Sequence, residues 1–345
     1  MIASFRVGIS SGVNPAGGGN LIAPEAYAML EKHGIGYALF DVAGQEVQAA
    51  EIAGYDAIIL LGERFGPRAL GDDTRLVGVA RWGVGYDAVD LDACTAHDVC
   101  VFITPGGVRR PVATAILTFL LALALRLRTK DGLVRSGDWG RKAAYMGEML
   151  TGKVLGSFGL GNIGRELFRL AAPLEMRHIA HDPYVAPAQA EAAGARLVDK
   201  ETLLRESDFL CINCALTPQT RHAIGSAELA LMKPTAYLIN TARGPIVDEA
   251  ALIAALQDGR LRGAGLDVFE QEPLPLDSPL LALDNVWLAP HALAWTDEVV
   301  LGNSTEDARG LVRLSRGEIP DNVVNTEVLD RPGFQAKLRA IRERL

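Results

Sequence analysis

Four cysteines in 345 residues, Cys94, Cys100, Cys211 and Cys214, are too few to form a secreted disulfide framework. Cys211 and Cys214 have C-x-x-C spacing. They lie in the apolar run Asp208–Cys214, which reads as a buried strand, and no second ligand pair follows. Neither redox chemistry nor a metal site is expected there, and no metal ligand is assigned elsewhere. Basic residues are outnumbered, 34 Lys and Arg against 42 Asp and Glu. The net charge of −8 argues against nucleic acid or an anionic membrane as a partner. Long apolar runs are also missing. The most apolar stretch, Val112–Leu125, falls short of the roughly 20 residues that span a bilayer as a helix. A helix apolar on all sides must be buried on more than one, so a domain boundary and a subunit contact are expected to cover it. Met1–Ser10 has no charged region leading into a long apolar core and cleavage site. It reads as a first strand, and a cytoplasmic protein is expected. Internal repeats and low-complexity tracts are absent. The glycine cluster in Ser11–Asn20 lacks the Gly-Lys-Ser/Thr ending of a phosphate loop and reads as a flexible loop.

What the chain has instead is alternation. The length suggests two domains. In the first hundred residues, strands are expected at Phe5–Ser10, Tyr37–Asp41, Ala57–Leu61, Leu76–Ala80 and Val99–Ile103. A helix starts at Pro24 and stops before Gly34. Thr104–Pro111 is turn-rich and reads as a hinge, followed by the apolar helix to about Arg128 and a loop at Ser136–Gly140. Further on, strands are expected at Phe209–Asn213, Ala236–Asn240, Gly263–Val268 and Val286–Ala289. Helices are expected at Pro187–Ala193, Lys200–Glu206, Ser226–Met232 with Ser226 as its cap, Glu249–Asp258 and Asp297 to about Arg316. Repeated β–α–β order predicts α/β domains with parallel sheets covered by helices.

The segment Val154–Gly164 is an apolar strand leading through Gly159, Gly161 and Gly164 into a helix. Asp182 follows Gly164 by eighteen residues. This is the dinucleotide-binding fingerprint. Gly159 permits a tight turn, Gly161 leaves the backbone open to a pyrophosphate, and Gly164 lets the helix lie close to the sheet. The helix N-terminus favours the phosphates. Asp182 is placed to accept ribose hydroxyls, which favours NAD over NADP. Three later segments carry reactive groups to strand ends, where open parallel sheets bind ligands. They are Ile239–Gly244 with Arg243, Gly265–Pro273 with Asp267, Glu270 and Glu272, and Trp287–His291.

With these pieces in place, the chain resembles the D-isomer-specific 2-hydroxyacid dehydrogenases, the glyoxylate/hydroxypyruvate reductase and phosphoglycerate dehydrogenase group. The match runs from about Leu76 to Asn325. It rests on Arg81–Asp87, Gly159–Gly164, Leu216–Thr220, Asn240–Gly244, Asp267–Pro273 and Pro290-His291. The resemblance implies two doubly wound parallel-sheet domains, a Rossmann NAD-binding domain inserted into a flavodoxin-like substrate domain. The substrate domain would comprise 1–105 and 295–330, and the NAD domain 106–294 with a dimer-arm helix at about 111–128. Residues 331–345 would form a C-terminal tail. It implies reversible hydride transfer between NADH and a small 2-oxo acid, in a homodimer.

The implied catalytic residues are His291 as proton donor and acceptor, Glu272 as its orienting partner, and Arg243 holding the substrate carboxylate. Imidazole suits both directions of proton transfer, and a guanidinium fork suits a carboxylate. Val84 and Gly85 would offer backbone N–H groups to the same carboxylate. Cofactor contacts would come from Gly159, Gly161, Asn162, Ile163, Gly164, Asp182, Cys214, Ala215, Thr220, Thr241, Ala242, Asp267 and His291. Glu270 reads as solvated, His181 as a possible contact to the adenosine edge, and His33, His97, His178 and His222 as structural or exposed. Leu61–Phe65 would face the substrate side chain, with Tyr145 and Met146 approaching from the arm. Arg109 and Arg110 read as a solvated hinge in preference to a device for attracting an acidic substrate. The chain departs from the family pattern at Asn213 and Ala215, where His and Pro are frequent, and at Thr114, where Glu is frequent. The alternative reading is an NAD(H)-sensing, corepressor-like binding protein on the same fold, which would bind NADH without turnover.

Overall fold

The computed structural model describes residues 5–13, 20–71 and 74–344. Residues 14–19 of the expected Ser11–Asn20 loop lie outside them. Along the chain, the first elements are β1 (Arg6–Ser10), α1 (Pro24–Lys32), β2 (Gly36–Phe40), β3 (Ala57–Leu60), β4 (Gly78–Arg81), α2 (Leu91–Ala96) and β5 (Cys100–Ile103). Then come α3 (Pro105–Ala124), α4 (Leu127–Ser136), β6 (Val154–Phe158), α5 (Asn162–Ala171), β7 (Arg177–His181), α6 (Pro187–Ala192), β8 (Arg196–Leu197), α7 (Lys200–Glu206) and β9 (Phe209–Ile212). The last are α8 (Ser226–Leu231), β10 (Tyr237–Asn240), α9 (Glu249–Gln257), β11 (Gly263–Leu266), β12 (Val286–Leu288), α10 (Asp297–Ser315) and α11 (Pro332–Arg342). Contacts divide the chain into Met1–Val108 with Trp295–Leu345, and Arg109–Ala294. The second unit is thus continuous in sequence and interrupts the first.

The first unit is a five-stranded parallel sheet in the order β2-β1-β3-β4-β5, the flavodoxin-like arrangement. Apart from the edge strand β2, its strands are buried on both faces, and side-chain alternation sorts them. Val7, Ile9, Ala57 and Ile59 pack with Leu30, Ala308, Leu311 and Leu314, while Ile58, Leu60, Val79 and Val101 pack with Phe65, Leu76 and Cys94. The second unit is a seven-stranded parallel sheet in the order β12-β11-β10-β9-β6-β7-β8. Leu155, Cys211 and Ile239 face Ile116, Phe119 and Phe168, whereas Val154, Leu210 and Leu238 face Leu203, Leu252 and Leu256. The fold is therefore α/β with two doubly wound parallel sheets. In the second, sequence order reverses between β6 and β9, which opens a crevice at their C-terminal ends.

Several local expectations are corrected. The hinge expected at Thr104–Pro111 is helical, because α3 begins at Pro105 and carries Pro111 inside it. Proline at a first helical turn lacks only an N–H that has no helical partner anyway. Gly106 and Gly107 serve close approach, not turning: a methyl on Gly107 would lie 2.2 Å from Asn303 Oδ1 and 2.5 Å from the Asn303 backbone nitrogen, both on α10. The helix so lengthened matches a membrane span in length and composition, yet 61% of its apolar window is buried in the fold. The expected run to Arg128 breaks at Arg126, left-handed at φ 53°, and a second helix, α4, follows it to Ser136, where the expected loop begins. Ser226 is the first residue of its helix; the cap is Gly225, whose N–H donates to Glu228. The expected C-terminal tail is helical over Pro332–Arg342, and α11 buries Phe334, Leu338 and Ile341 in the first unit's core.

Candidate active site

The glycine loop after β6 meets three separate demands. Gly159 has φ 101°, and a methyl there would lie 2.7 Å from the Cys214 backbone nitrogen. The left-handed turn and the neighbouring β9 loop both exclude a side chain. A methyl on Gly164 would lie 2.9 Å from Gly159 O and 3.1 Å from Ser157 Oγ, so α5 lies hard against the turn. Gly161 differs: no heavy atom lies within 4 Å of a methyl built there, and Gly161 and Asn162 are exposed. Open space at that glycine, facing the unpaired N–H groups of a helix start, fits a pyrophosphate. Ser157 Oγ donates to Gly159 O and accepts from Asn213 Nδ2 at 2.8 Å, which fixes the loop to β9.

Asp182 follows β7. Its Oδ2 accepts the Leu160 N–H at 2.8 Å and its Oδ1 the Tyr184 N–H at 2.9 Å, so the carboxylate is locked beside the glycine loop. Each oxygen retains a lone pair for a ribose hydroxyl. His181 has Nδ1 against Val198 O at 3.0 Å and its ring stacked on Phe158. In the β9 loop Thr220 closes its own turn. Its hydroxyl donates to Ala215 O and accepts the Thr217 N–H, both at 2.7 Å. Cys211 is buried in β9, and burial pushes the Cys214 thiol up to about 12, so both stay protonated and the C-x-x-C pair is inert.

The next three strands deliver the reactive groups. At the end of β10, Asn240 braces the following turn, donating from Nδ2 to Arg243 O at 2.9 Å and accepting Ala242 N–H at 3.0 Å. Arg243 leaves in extended conformation, with a guanidinium nitrogen donating to Ala242 O at 2.7 Å. A methyl on Gly244 would lie 2.0 Å from Phe269 O, so the Arg243 turn presses against the β11 loop. Thr241 Oγ1 is buried with no hydrogen-bond partner among the described residues, an orphaned polar atom beside the crevice that suits a nicotinamide group. Asp267, after β11, is buried; Oδ1 accepts the N–H groups of Ala292 and Leu293 at 3.0 and 3.1 Å, so it shapes the β12 loop. Burial raises its carboxyl above the ordinary value, against those bonds.

His291 Nδ1 lies 2.7 Å from Glu272 Oε2, and Glu272 Oε1 accepts the Phe269 N–H at 2.9 Å. Burial pushes the Glu272 carboxyl up. The hydrogen bond and charge of His291, with the Phe269 N–H and Arg243, outweigh it and leave the group below its ordinary value. The carboxylate takes Nδ1, and Nε2 is the nitrogen left for chemistry. His291 has φ 56°, a conformation that costs a non-glycine residue about 1–3 kcal/mol and gathers at functional sites. Glu270 is not merely solvated: Oε1 lies 2.8 Å from His222 Nε2 and accepts the Glu249 N–H at 3.2 Å. That pair ties the β9 loop to the β11 loop. Residue reading passed over it because no spacing rule links positions 222 and 270.

In the first unit, Val84 and Gly85 sit half-buried in the loop after β4. In the Leu61–Phe65 segment Gly62 and Arg64 are exposed. Glu63 folds back onto the N–H groups of Gly12, Leu61 and Gly62, and Phe65 is 1% exposed in the core. In the second unit Arg109 and Arg110 face α5. With Arg169, whose hydrogen bond is the largest influence, they hold the Glu166 carboxyl below its ordinary value. Tyr145 is engaged by Arg141, and Met146 is exposed.

Residues 117–292 match the family model described as D-isomer specific 2-hydroxyacid dehydrogenase, NAD binding domain. A glyoxylate reductase of Thermococcus litoralis is 41% identical over 281 residues, covering 79% of this chain and 85% of that one. Among solved structures, a glyoxylate reductase from Paecilomyes thermophila superposes with a TM-score of 0.80 at 29% identity, covering 93% of this chain and 98% of that one. A D-lactate dehydrogenase from Aquifex aeolicus, complexed with NAD and lactic acid, gives 0.78 at 25% identity, covering 92% and 99%.

Proposed function

The chain belongs to the D-isomer-specific 2-hydroxyacid dehydrogenases, an NAD-dependent oxidoreductase acting on CH–OH groups, and from that premise we propose that it interconverts a small 2-oxo acid and its D-2-hydroxy acid with Arg243, Glu272 and His291. The observation that carries this reading is the 2.7 Å contact between His291 Nδ1 and Glu272 Oε2, on the loop beside Arg243.

When bound, NADH supplies the hydride that reaches the carbonyl carbon. His291 Nε2 gives its proton to the carbonyl oxygen, and takes it back in the oxidation direction. Glu272 holds the ring through Nδ1, and proton transfer from a group so placed is worth about 10²–10⁴-fold in rate. Arg243 pairs with the substrate carboxylate through two parallel N–H bonds and orients the carbonyl. Val84 and Gly85 carry backbone N–H groups suited to a carboxylate. Gly159, Gly161, Asn162, Ile163 and Gly164 cradle the pyrophosphate, Asp182 takes the adenosine ribose, and Thr241, Ala242 and Asp267 border the nicotinamide. Cys214 and Ala215 contribute through backbone, and Thr220 by keeping their loop closed.

The substrates of choice in this proposal are small 2-oxo acids such as glyoxylate or hydroxypyruvate. The test is NADH oxidation against a panel of 2-oxo acids. Turnover of at least one upholds the reading. Tight NADH binding with no turnover on any of them favours a sensor on the same fold. The protein is further proposed to act as a cytoplasmic homodimer. Four free thiols suit a reducing compartment. Leu127, Val134, Trp139, Met146 and Met149, all exposed around α4 and the segment after it, suit a subunit contact.

A further inference from the structure

Helix α10 buries a polar face in the first unit. Asn303, Ser304 and Asp307 are each at most 1% exposed. Ser304 is fully used: its hydroxyl donates to Leu21 O, accepts the Ala23 N–H and faces Trp82 Nε1 at 3.0, 3.1 and 3.4 Å. Asn303 and Asp307, one turn apart, are not. Neither amide atom of Asn303 and neither carboxyl oxygen of Asp307 has a hydrogen-bond partner among the described residues. A helix face that served packing alone would be apolar here, and native cores hold few such orphans.

Their surroundings show what they adjoin. A methyl on Gly83 would lie 2.1 Å from an Arg81 guanidinium nitrogen and 4.0 Å from Asn303 Nδ2. A methyl on Gly107 would lie 2.2 Å from Asn303 Oδ1. Asn303 therefore fills the space between the start of α3 and the Gly83 backbone. Arg81 folds under the same turn and donates to the Trp82 carbonyl. Burial raises the Asp307 carboxyl well above its ordinary value, and the charge of Arg81 is the largest influence pulling it back. The other side of the turn is already pinned, since Gly83 N–H donates to Thr104 Oγ1 at 2.7 Å and Thr104 N–H to Gly83 O at 2.9 Å.

We propose that Asn303 and Asp307 are positioning residues for Arg81 and the Trp82–Gly85 turn, holding the guanidinium beneath the backbone that receives the substrate carboxylate. Asn303 sets the distance of the turn from α10 by packing against Gly107 and Gly83. Asp307, one turn along the same buried face and held towards its neutral form by burial, acts there as a polar neighbour of Arg81 and not as a full counter-charge. The inference rests on the reading of Val84 and Gly85 as carboxylate-binding backbone.

The test uses the full-length protein with Asp307→Ala and Asp307→Asn. Asp307→Ala is expected to raise KM for the 2-oxo acid about fivefold or more, with KM for NADH within about twofold. Asp307→Asn, of similar shape and hydrogen-bonding capacity, is expected to restore most of the loss. Amide hydrogen exchange in a peptide covering Trp82–Asp87 should quicken in the alanine variant and return in the asparagine variant. An unchanged KM and unchanged exchange in Asp307→Ala would overturn the proposal, as would equal losses towards NADH and the 2-oxo acid. If Asp307→Ala does not accumulate in folded form, Asn303→Leu carries the same comparison. If the parent reduces no 2-oxo acid, the proposed activity fails on its own, and the exchange measurement still decides whether these residues hold the turn.

Discussion

His291 sits in a left-handed conformation that the chain sustains at a cost, and the groups around it explain how. Asp267 ties down the N–H groups of Ala292 and Leu293 on one side, and Glu272 holds the ring on the other. Because the Glu272 carboxyl is depressed, its contribution to stability is present above the ordinary glutamate value of about 4.3 and is lost as pH falls through the lower, folded-state value. Glu272→Gln should therefore flatten the fall of Tm on acidification relative to the parent, and should lower kcat; parallel acid curves for the two proteins would contradict the pairing. The fingerprint glycines separate in the same way. Gly159→Ala should cost on the order of 2 kcal/mol or more, because it combines a positive φ with backbone contact. Gly161→Val should leave the Tm near that of the parent and weaken NADH binding. Chemical denaturation and a fluorescence titration of NADH distinguish the two. These glycines were legible because each answers a distinct geometric demand at fixed spacing. The φ of His291 was not, since nothing in a residue pattern marks a non-glycine forced left-handed by its neighbours. The His222–Glu270 pair was equally hidden.

Helix α3 shows how the same residue types can mislead. Pro105, Gly106, Gly107 and Pro111 read as a hinge because proline and glycine break helices on average. Here Pro105 opens the helix, and the two glycines admit α10 and Glu306 at close range. Glycine in α4 is a different matter, for a methyl on Gly132 would meet nothing within 4 Å. Gly107→Ala is thus expected to destabilise the protein by about 1–3 kcal/mol through overpacking, and Gly132→Ala to stabilise it by about 0.5–1 kcal/mol through helix propensity. Thermal or urea unfolding reads both, and a stabilising Gly107→Ala would sink the packing account. The strands expected from apolar runs were legible to within one or two residues at each end, because an apolar run bounded by turn residues has few other readings in an α/β chain; β7 and the two-residue β8 were not among them. The break at Arg126 was not, as the residues on both sides of it favour helix.

Strand order and the interrupted first unit depend on pairings far apart in sequence, such as Leu155 with Phe209, which periodicity alone does not specify. They came instead from the likeness of the motifs to a family. The burial of α11 was missed although Phe334, Leu338 and Ile341 recur at helical spacing, because the charged end of the chain was given more weight than that stripe. The proposed homodimer predicts that Val134→Glu combined with Trp139→Glu halves the mass seen by analytical ultracentrifugation, and an unchanged mass would remove that surface from consideration. The central claim is that the His291–Glu272 pair moves the proton while the glycine loop holds the cofactor. It is tested most directly by comparing parent and His291→Ala in NADH consumption with a turned-over 2-oxo acid, alongside a titration of NADH binding. The account predicts a loss of turnover of about 10²–10⁴-fold with NADH affinity within about threefold of the parent. Turnover retained within about tenfold, or a loss of NADH binding that accounts for the whole effect, would contradict it.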